Sequence, residues 1–423
     1  MSYLLDDKIK LEATPQLSAF GRLRVSEPRL LGEYRYMYGS GTTIEVVDKL
    51  AGSGQLVKDQ ARTCYHATVG TDSGALALRQ TKQYHPYISG TTNFAMMTFV
   101  MDQSKIGLTQ SIGLYDDLNG FIFRVRDGVA EFVIRKNGTD AEVVPQSQWN
   151  SDRLDGTKSK TNKSGVLADW TKAQILFIDY QWLGVGKVRF CFVHGDENVV
   201  AHTFYHANIV TEAYTFQPSL PCRWEVKNTA VTTSTSSMMI ICAVVHREGA
   251  DYETGFSRSV STDGTGVAVT AANAVNGKGL IAIRLKNVLE GKQNHAFARL
   301  KQFTLYTNND VNYKIVILSG AAAIANTPTW LDVPGYGWCD YIKDFTLAPT
   351  WNAGEDYQVL LDDFAIGGVG GQTGATVTGL IDNRSASIFQ NYDATDSMIL
   401  AVIAYRLGTD ATVRAGLSWI EIK

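Results

Sequence analysis

The chain has 423 residues, of which 45% are hydrophobic and 19% are charged, and its formal net charge at pH 7 is −3. This nearly neutral balance gives no support for a broadly basic nucleic-acid-binding surface. A low charge content with many Tyr, Phe, Thr and Gly residues is typical of all-β proteins. Because the length exceeds what one hydrophobic core usually supports, we expect two β domains.

The first residues, MSYLLDDKIKLE, carry acids where a secretory signal would be apolar, and no apolar run reaches the roughly 18 residues that cross a bilayer. We therefore expect a soluble protein without membrane insertion. The five cysteines show no CxxC spacing. We expect buried free thiols from a reducing compartment, with no metal and no other cofactor.

The stretch SAFGRLRVSEPRLLGEYRY, residues 18–36, alternates apolar and basic side chains before Pro28 interrupts it. Alternation predicts a strand, and proline ends a strand or confines it to a sheet edge. Because the segment is too short to form a core, we interpret it as an arm that docks on another chain. The alternative is that it forms the first strand of an N-terminal sandwich. The candidate contact residues of the arm are Phe20, Arg22, Arg24 and Arg29.

Residues 60–250 contain about ten strand-like runs separated by turns, a spacing that favours a β-sandwich. The clearest local signal is FIFRVRDGVAEFVIRKNG, in which two alternating runs flank Asp127-Gly128. This dipeptide predicts a tight hairpin turn, because both central residues need positive φ. The side chains expected on one face of the first run are Phe121, Phe123 and Val125.

Residues 249–279 are poor in large apolar residues, and seven strand-like runs follow them, the last reaching the end of the chain. We therefore predict an arm with the first strands, a β-sandwich, a Gly/Ser/Thr-rich linker, and a second β-sandwich or jelly roll. The predicted bounds are 1–59, 60–250, 251–279 and 280–423.

Two histidines, His202 and His206, lie four residues apart in a strand-like run. On one strand they would be about 13 Å apart at ~3.3 Å per residue, too far for one metal ion, so we expect structural histidines. The chain also lacks the GxSxG, HExxH and P-loop patterns. We expect no catalytic residues and no enzyme.

Two carboxylate doublets, Asp116-Asp117 and Asp362-Asp363, also attract attention. Neighbours on a strand point to opposite faces, so neither doublet supplies the pair across a cleft that a glycosidase needs. We interpret Asp116-Asp117 as a turn with an Asx hydrogen bond, and a calcium site there is the alternative.

Three tryptophans, Trp149, Trp170 and Trp182, lie near predicted loops or strand ends. Such side chains either stack on sugar rings or pack in the core. Should the protein bind a glycan, the candidate contacts are Trp149, Asp152 and Trp182.

Six stretches form an ordered series between residues 18 and 250: SAFGRLRVSEP, HPYISGTTNF, IGLYDDLNGFIFR, QWNSDRLDGT, TKAQILFIDYQWLGVGKVRFCF and HANIVTEAYTFQPSLPCRWEVKNT. The series resembles a family of virion structural proteins of tailed bacteriophages. This resemblance implies a concanavalin-like, lectin-type jelly roll for the central part and carries over no catalytic residues.

From the resemblance we expect a structural component of a phage virion, a tail, collar, fibre or head appendage, that acts through protein–protein interaction. It would be made and assembled in the host bacterial cytoplasm, bind other virion proteins, and form a homo-oligomer, by analogy a trimer. The alternative is a receptor-binding protein, or adhesin, that recognises a bacterial surface glycan. A polysaccharide-degrading enzyme is the third class, and the sequence names no carboxylate pair for it.

Overall fold

The computed structural model describes residues 27–37, 45–159, 162–195, 197–249, 255–273, 277–318, 324–325, 329–347, 357–367, 372–375, 387–390 and 397–422. Helical structure in these ranges is confined to two 3₁₀ turns, Gln146–Gln148 and Ala271–Asn273. No helix in the described ranges is long and apolar enough to cross a membrane. The remaining regular structure is β-strand, which confirms the all-β prediction.

Contacts divide the chain into two compact units. The first contains the described residues of Met1–Ser40, Asp48–Gln80 and His85–Asp251, and the second those of Gly41–Val47, Thr81–Tyr84 and Tyr252–Lys423. The strands up to residue 248 are β1 Arg29–Arg35, β2 Val46–Ala51, β3 Gln55–Asp59, β4 Cys64–Val69, β5 Leu76–Thr81, β6 Thr92–Val100, β7 Leu108–Tyr115, β8 Gly120–Arg126, β9 Val129–Lys136, β10 Thr139–Pro145, β11 Gln174–Tyr180, β12 Val188–His194, β13 Glu197–Phe204, β14 Cys222–Asn228 and β15 Ser236–Glu248. The later strands are β16 Phe256–Ser261, β17 Val267–Val269, β18 Lys278–Leu285, β19 Val288–Leu289, β20 Lys292–Gln293, β21 Phe297–Thr307, β22 Val311–Leu318, β23 Leu331–Asp332, β24 Cys339–Phe345, β25 Tyr357–Ala365, β26 Gln372–Ala375, β27 Ser387–Ile388, β28 Ile399–Arg406 and β29 Ala411–Ile422.

The first unit is a sandwich of two sheets. One sheet has the order β13-β12-β11-β6-β15-β4-β3, with β1 also paired to β15, and the other has the order β10-β9-β8-β7-β14-β5-β2. Aromatic side chains meet between the sheets. The ring centroids of Phe132 and Phe190 are 4.3 Å apart, and those of Phe99 and Phe123 are 5.9 Å apart. These residues belong to one buried cluster, so a single core joins the two sheets.

The β8–β9 hairpin confirms the clearest local prediction. Asp127 and Gly128 have φ values of 51° and 88°, as a tight hairpin turn requires. Phe121, Phe123 and Val125 all lie in the core cluster, on the face that alternation predicted.

The opposite face of the same hairpin carries an ion-pair network. Arg124 Nη1 donates to Asp140 Oδ2 at 2.6 Å and its Nε donates to Glu131 Oε1. Arg135 Nε donates to Asp140 Oδ1 at 3.0 Å. The arginines on this face are therefore paired with carboxylates from neighbouring strands, which explains why the sequence alternates arginine with apolar residues.

The second unit is also a sandwich. Its sheets have the orders β16-β29-β21-β26 and β23-β24-β18-β28-β22-β25, with β17 on β29 and β27 on β21. Phe303 of β21 and Tyr313 of β22 bring their ring centroids to 5.6 Å across the core. The buried Glu421 carboxylate on β29 accepts hydrogen bonds from Cys339 N at 3.1 Å and Arg258 Nε at 3.3 Å, so it links β29 to strands of both sheets.

The described part of the predicted arm belongs to the first sandwich, which corrects the arm assignment for β1. Arg29 is half-buried and opens β1, which runs antiparallel to β15. A Cβ on Gly32 would collide with the His85 side chain, so β1 packs closely against the segment that follows β5. Phe20, Arg22 and Arg24 lie outside the described residues, and their assignment to an arm stays a prediction.

The predicted linker 251–279 also needs correction, because its described residues include strands β16 and β17. Both strands pair with β29. β16, with the sequence FSRSVS, is an edge strand whose side chains are mostly exposed. Backbone hydrogen bonds rather than apolar burial hold such a strand, so it leaves little hydrophobic signal in the sequence.

A buried ion pair lies on one sheet of the first sandwich, on the face opposite to the core residues Ile178 and Phe190. Asp179 on β11 and Arg189 on β12 stand directly opposite each other in the strand register. Arg189 Nη2 donates to Asp179 Oδ2, and their side chains are 1% and 0% exposed. Removing one partner of a buried ion pair is destabilising, because the other charge stays buried without that counter-ion.

We expect Asp179→Asn to lower the free energy of unfolding of the first unit by about 3–5 kcal/mol, because the Arg189 charge stays buried. The double variant Asp179→Leu/Arg189→Met should recover most of that loss. Glu212→Ala, which removes an exposed partner of Lys136, should cost about 1 kcal/mol or less. Urea unfolding followed by tryptophan fluorescence measures all three. Equal losses for the single and double variants would contradict the prediction.

Candidate functional site

A groove of about 420 Å³ opens on the first sandwich. It lies between the loop after β6, the β8–β9 turn and the loop that precedes β11. Its lining residues are Asp102, Gln103, Ser104, Val125, Gly128, Leu167, Ala168, Asp169, Trp170, Thr171 and Lys172.

The loop after β6 is held in place by the buried Gln110 side chain. Gln110 Oε1 accepts a hydrogen bond from Asp102 N at 2.7 Å, and its Nε2 donates to Asp102 O at 3.0 Å. Asp102 Oδ2 in turn accepts from Ser237 N at 3.1 Å. The exposed side-chain amide of Gln103 is therefore attached to a backbone that is held in place.

The opposite wall is anchored by Trp170, which is half-buried. Its ring lies 4.7 Å from Phe123 and 5.0 Å from Phe192, centroid to centroid. Trp170 O accepts a hydrogen bond from Met101 N at 2.9 Å, which ties the two loops together. The groove thus has one wall built on the core.

The Asp169 carboxylate beside Trp170 is exposed and charged at neutral pH. Hydrogen bonds from the Thr171 hydroxyl and from the Thr171 backbone N–H hold the pKa of Asp169 below its usual value. A general acid of a glycosidase needs the opposite shift. Asp169 therefore suits hydrogen-bond acceptance from a ligand rather than proton donation.

The groove combines the groups that bind a polyhydroxylated ligand. Asp169 offers an acceptor, while Gln103 and Lys172 offer donors, next to the aromatic surface of Trp170 and the side chain of Leu167, which is 72% exposed. Small-ligand sites combine an apolar surface with a few fixed polar groups in this way.

Two of the three glycan contacts that the sequence predicts are buried, which corrects the prediction for Trp149 and Asp152. Trp149 is 4% exposed and stacks on Phe132 at 4.2 Å, and Asp152 is 3% exposed, with its carboxylate accepting from Leu154 N and Ser164 N. Both side chains hold the fold together and offer a ligand little surface. Trp182 is half-buried and donates to Thr215 O at 2.9 Å.

The sequence analysis did not identify four of the residues that line the groove: Asp102, Gln103, Asp169 and Lys172. A Trp beside an Asp in a loop, as in Asp169-Trp170, is the local signal that could have found one wall. The other wall lies more than sixty positions earlier in the chain, and only the sheet packing brings it near.

The turn interpretation of Asp116-Asp117 is confirmed. Asp116 Oδ1 accepts hydrogen bonds from Leu118 N at 2.8 Å and Asn119 N at 2.6 Å, which is an Asx turn. Asp117 instead pairs with the buried Arg223 at 2.5 Å. None of the five cysteines forms a disulfide, and four of them are buried, as expected.

His202 and His206 do not share a strand, which corrects the 13 Å estimate. β13 ends at Phe204, and His206 follows in a turn, where its Nε2 lies 2.9 Å from Glu142 Oε1. His202 is buried, and its Nδ1 accepts a hydrogen bond from Asn150 N at 3.2 Å. Both are structural histidines, as the sequence analysis expected.

No family model and no curated protein matches the chain. Solved structures that it is similar to include a Bacillus licheniformis β-glucanase, at 8% identity over 53% of this chain and 99% of that chain, with a TM-score of 0.32. Peanut lectin matches at 8% identity over 53% and 98%, TM-score 0.32, and a legume lectin-like domain from Entamoeba histolytica at 10% over 52% and 97%, TM-score 0.31. Similarity this low carries no argument about the activity of this chain.

Acid should weaken the first unit through His202. Burial, partly opposed by the Glu142 carboxylate, lowers the pKa of His202 to about 4, whereas an unfolded histidine titrates near 6.5. The unfolded chain therefore binds the extra proton first, and stability falls by up to about 3 kcal/mol as the pH drops from about 6.5 to 4.

His202→Asn keeps a hydrogen-bond acceptor for Asn150 N and does not titrate in this range. The difference in unfolding free energy between wild type and this variant should therefore shift in favour of the variant between about pH 6.5 and 4. Urea unfolding across that range measures it. A difference that stays constant with pH would refute the assignment.

Proposed function

We propose that the protein is a structural component of a tailed-phage virion, in which the first sandwich is a binding framework rather than an active site. The observation that carries the proposal is the position of the phage-like stretches on the strands of the first sandwich. IGLYDDLNGFIFR covers half of β7 and most of β8, TKAQILFIDYQWLGVGKVRFCF covers β11 and most of β12, and CRWEVKNT covers β14. All five strands contribute to the core cluster.

The polar residues within those stretches support the same proposal. Asp179 pairs with Arg189, and Arg223 pairs with Asp117. Asn119 Oδ1 accepts a hydrogen bond from Phe216 N at 3.0 Å. These side chains are used to hold strands and turns, so the shared series specifies a scaffold. A scaffold shared without a catalytic centre is what a family of structural subunits would retain.

In this proposal the residues before β1 provide the particle contact, with Phe20, Arg22 and Arg24 as the docking side chains. The partners are other virion proteins, the subunit is a homo-oligomer, and assembly takes place in the host bacterial cytoplasm. Arginine suits this role because its guanidinium pairs with carboxylates in a fixed geometry.

Deleting residues 1–26 should remove the protein from purified particles while both sandwiches still fold, because the deletion ends before β1. The measurement is mass spectrometry of purified particles complemented with wild-type or truncated protein. Circular dichroism of the truncated protein serves as the folding control. Normal incorporation of the truncated protein would refute the arm, and absence of the wild-type chain from particles would refute the virion assignment.

A second candidate function is recognition of a bacterial surface glycan, and the groove beside Trp170 favours it. An adhesin should expose Trp or Tyr beside Asp or Asn in a loop, and Asp169-Trp170 meets that description. The surrounding amide, ammonium and carboxylate groups would orient sugar hydroxyls, while the half-buried ring would face the apolar side of a sugar.

Gln103→Ala and Lys172→Ala should each weaken glycan binding about tenfold, the equivalent of one lost hydrogen bond. Both side chains are exposed, so the fold should be unaffected. Lys292→Ala, an exposed lysine in the second unit, is the matched control. Binding to an array of bacterial surface glycans, followed by calorimetry on any hit, is the measurement. Equal binding by all three variants would exclude the groove.

A further inference from the structure

We propose that Asp59, Cys64 and His66 form a zinc-binding site on the β3–β4 hairpin of the first sandwich. Their ligand atoms all lie within 4.8 Å of one another. His66 Nε2 is 3.8 Å from Cys64 Sγ and 3.4 Å from Asp59 Oδ2. One thiol, one imidazole and one carboxylate are donors that Zn²⁺ accepts together.

The hairpin itself sets this geometry. Asp59 and Cys64 are the facing residues at the closed end of the β3–β4 pair, and His66 follows Cys64 by two positions on the same side of the strand. Asp59 Oδ1 accepts a hydrogen bond from Arg62 N at 3.0 Å, which fixes the carboxylate. Its other oxygen, Oδ2, is the one near His66.

A nucleophile–base–carboxylate triad does not explain the cluster. In a triad the carboxylate binds the ring nitrogen opposite the one that faces the nucleophile. Here the Cys64 thiol and the Asp59 carboxylate both approach the same nitrogen, His66 Nε2. That nitrogen has either one hydrogen or one lone pair, so it can serve only one of the two partners. A cation between them would satisfy all three groups.

The second ring nitrogen of His66, Nδ1, has the kind of contact that orients a metal-binding histidine. His66 Nδ1 lies 3.1 Å from Ser237 Oγ, which also accepts a hydrogen bond from Thr68 Oγ1 at 3.1 Å. With Nδ1–H donating to Ser237, the Nε2 lone pair is directed toward Cys64 and Asp59. Metal-binding histidines are usually oriented by such a contact on the second nitrogen.

The two distances from His66 Nε2, 3.4 Å to Asp59 Oδ2 and 3.8 Å to Cys64 Sγ, are close to those around a small tetrahedral ion. Zinc bond lengths place tetrahedral N and O donors about 3.4 Å apart and N and S donors about 3.6 Å apart. The side chains of His66 and Asp59 are 24% and 26% exposed, so an ion can reach the site, whereas Cys64 is fully buried. On binding, the thiol loses its proton to solvent and a water molecule takes the fourth position. Arg62, 67% exposed beside Asp59, can turn away.

The test is titration of the untagged, reduced full-length protein with Zn²⁺ by calorimetry, and with Co²⁺ by absorption spectroscopy. We expect one ion per chain, a thiolate-to-cobalt charge-transfer band, and a rise in the unfolding temperature with Zn²⁺. Ser237→Ala should weaken binding about 10–100-fold. Cys64→Ser and His66→Gln should weaken it more, and Cys64→Ser should abolish the charge-transfer band.

Cys242→Ser is the matched control, since Cys242 is a free thiol on β15 of the same sheet, and it should leave affinity and spectrum unchanged. Asp59→Asn, at the half-buried last residue of β3, tests the site without altering the buried thiol. Zn²⁺ binding that survives in Cys64→Ser and Asp59→Asn, or a wild-type protein that takes up no ion, would overturn the proposal.

Discussion

The layer of aromatic rings between the two sheets of the first unit is the constraint on which the rest of that unit depends. Phe123 and Phe132 project from the β8–β9 hairpin and contact Phe190 and Phe192 on β12 of the other sheet. Aromatic side chains bury large areas and interlock at close distances. Because the two sheets meet through these rings, strand register and loop position both follow from them.

The same layer fixes the loops that carry the candidate site. Trp149 stacks on Phe132 and Trp170 packs on Phe123, so the chain between β10 and β11 is attached to the core at two points. Loops anchored in this way present exposed polar side chains at defined positions, which ligand binding requires. The buried core side chains and the exposed loop side chains are different residues. One unit can therefore serve both assembly and recognition.

The β3–β4 hairpin illustrates how a sheet edge can be secured by other means. β3 is the last strand of its sheet in the described part of the chain. The proposed zinc site would clip β3 to β4 at their closed end, while the Ser237 contact reaches to β15. A metal that joins three side chains of one hairpin adds stability where the apolar core contributes least.

The sequence by itself determined the strand content and several local structures. Alternation and the Asp127-Gly128 turn located the β8–β9 hairpin. These features are local, because a strand's period and a turn's φ values depend on neighbouring residues. Tertiary structure alone decided that Trp149 and Asp152 are buried, that FSRSVS is a strand, and that Gln103 and Trp170 line one groove. The reason is that burial, edge pairing and convergence of loops depend on residues far apart in the chain, and one sequence does not specify which of them meet.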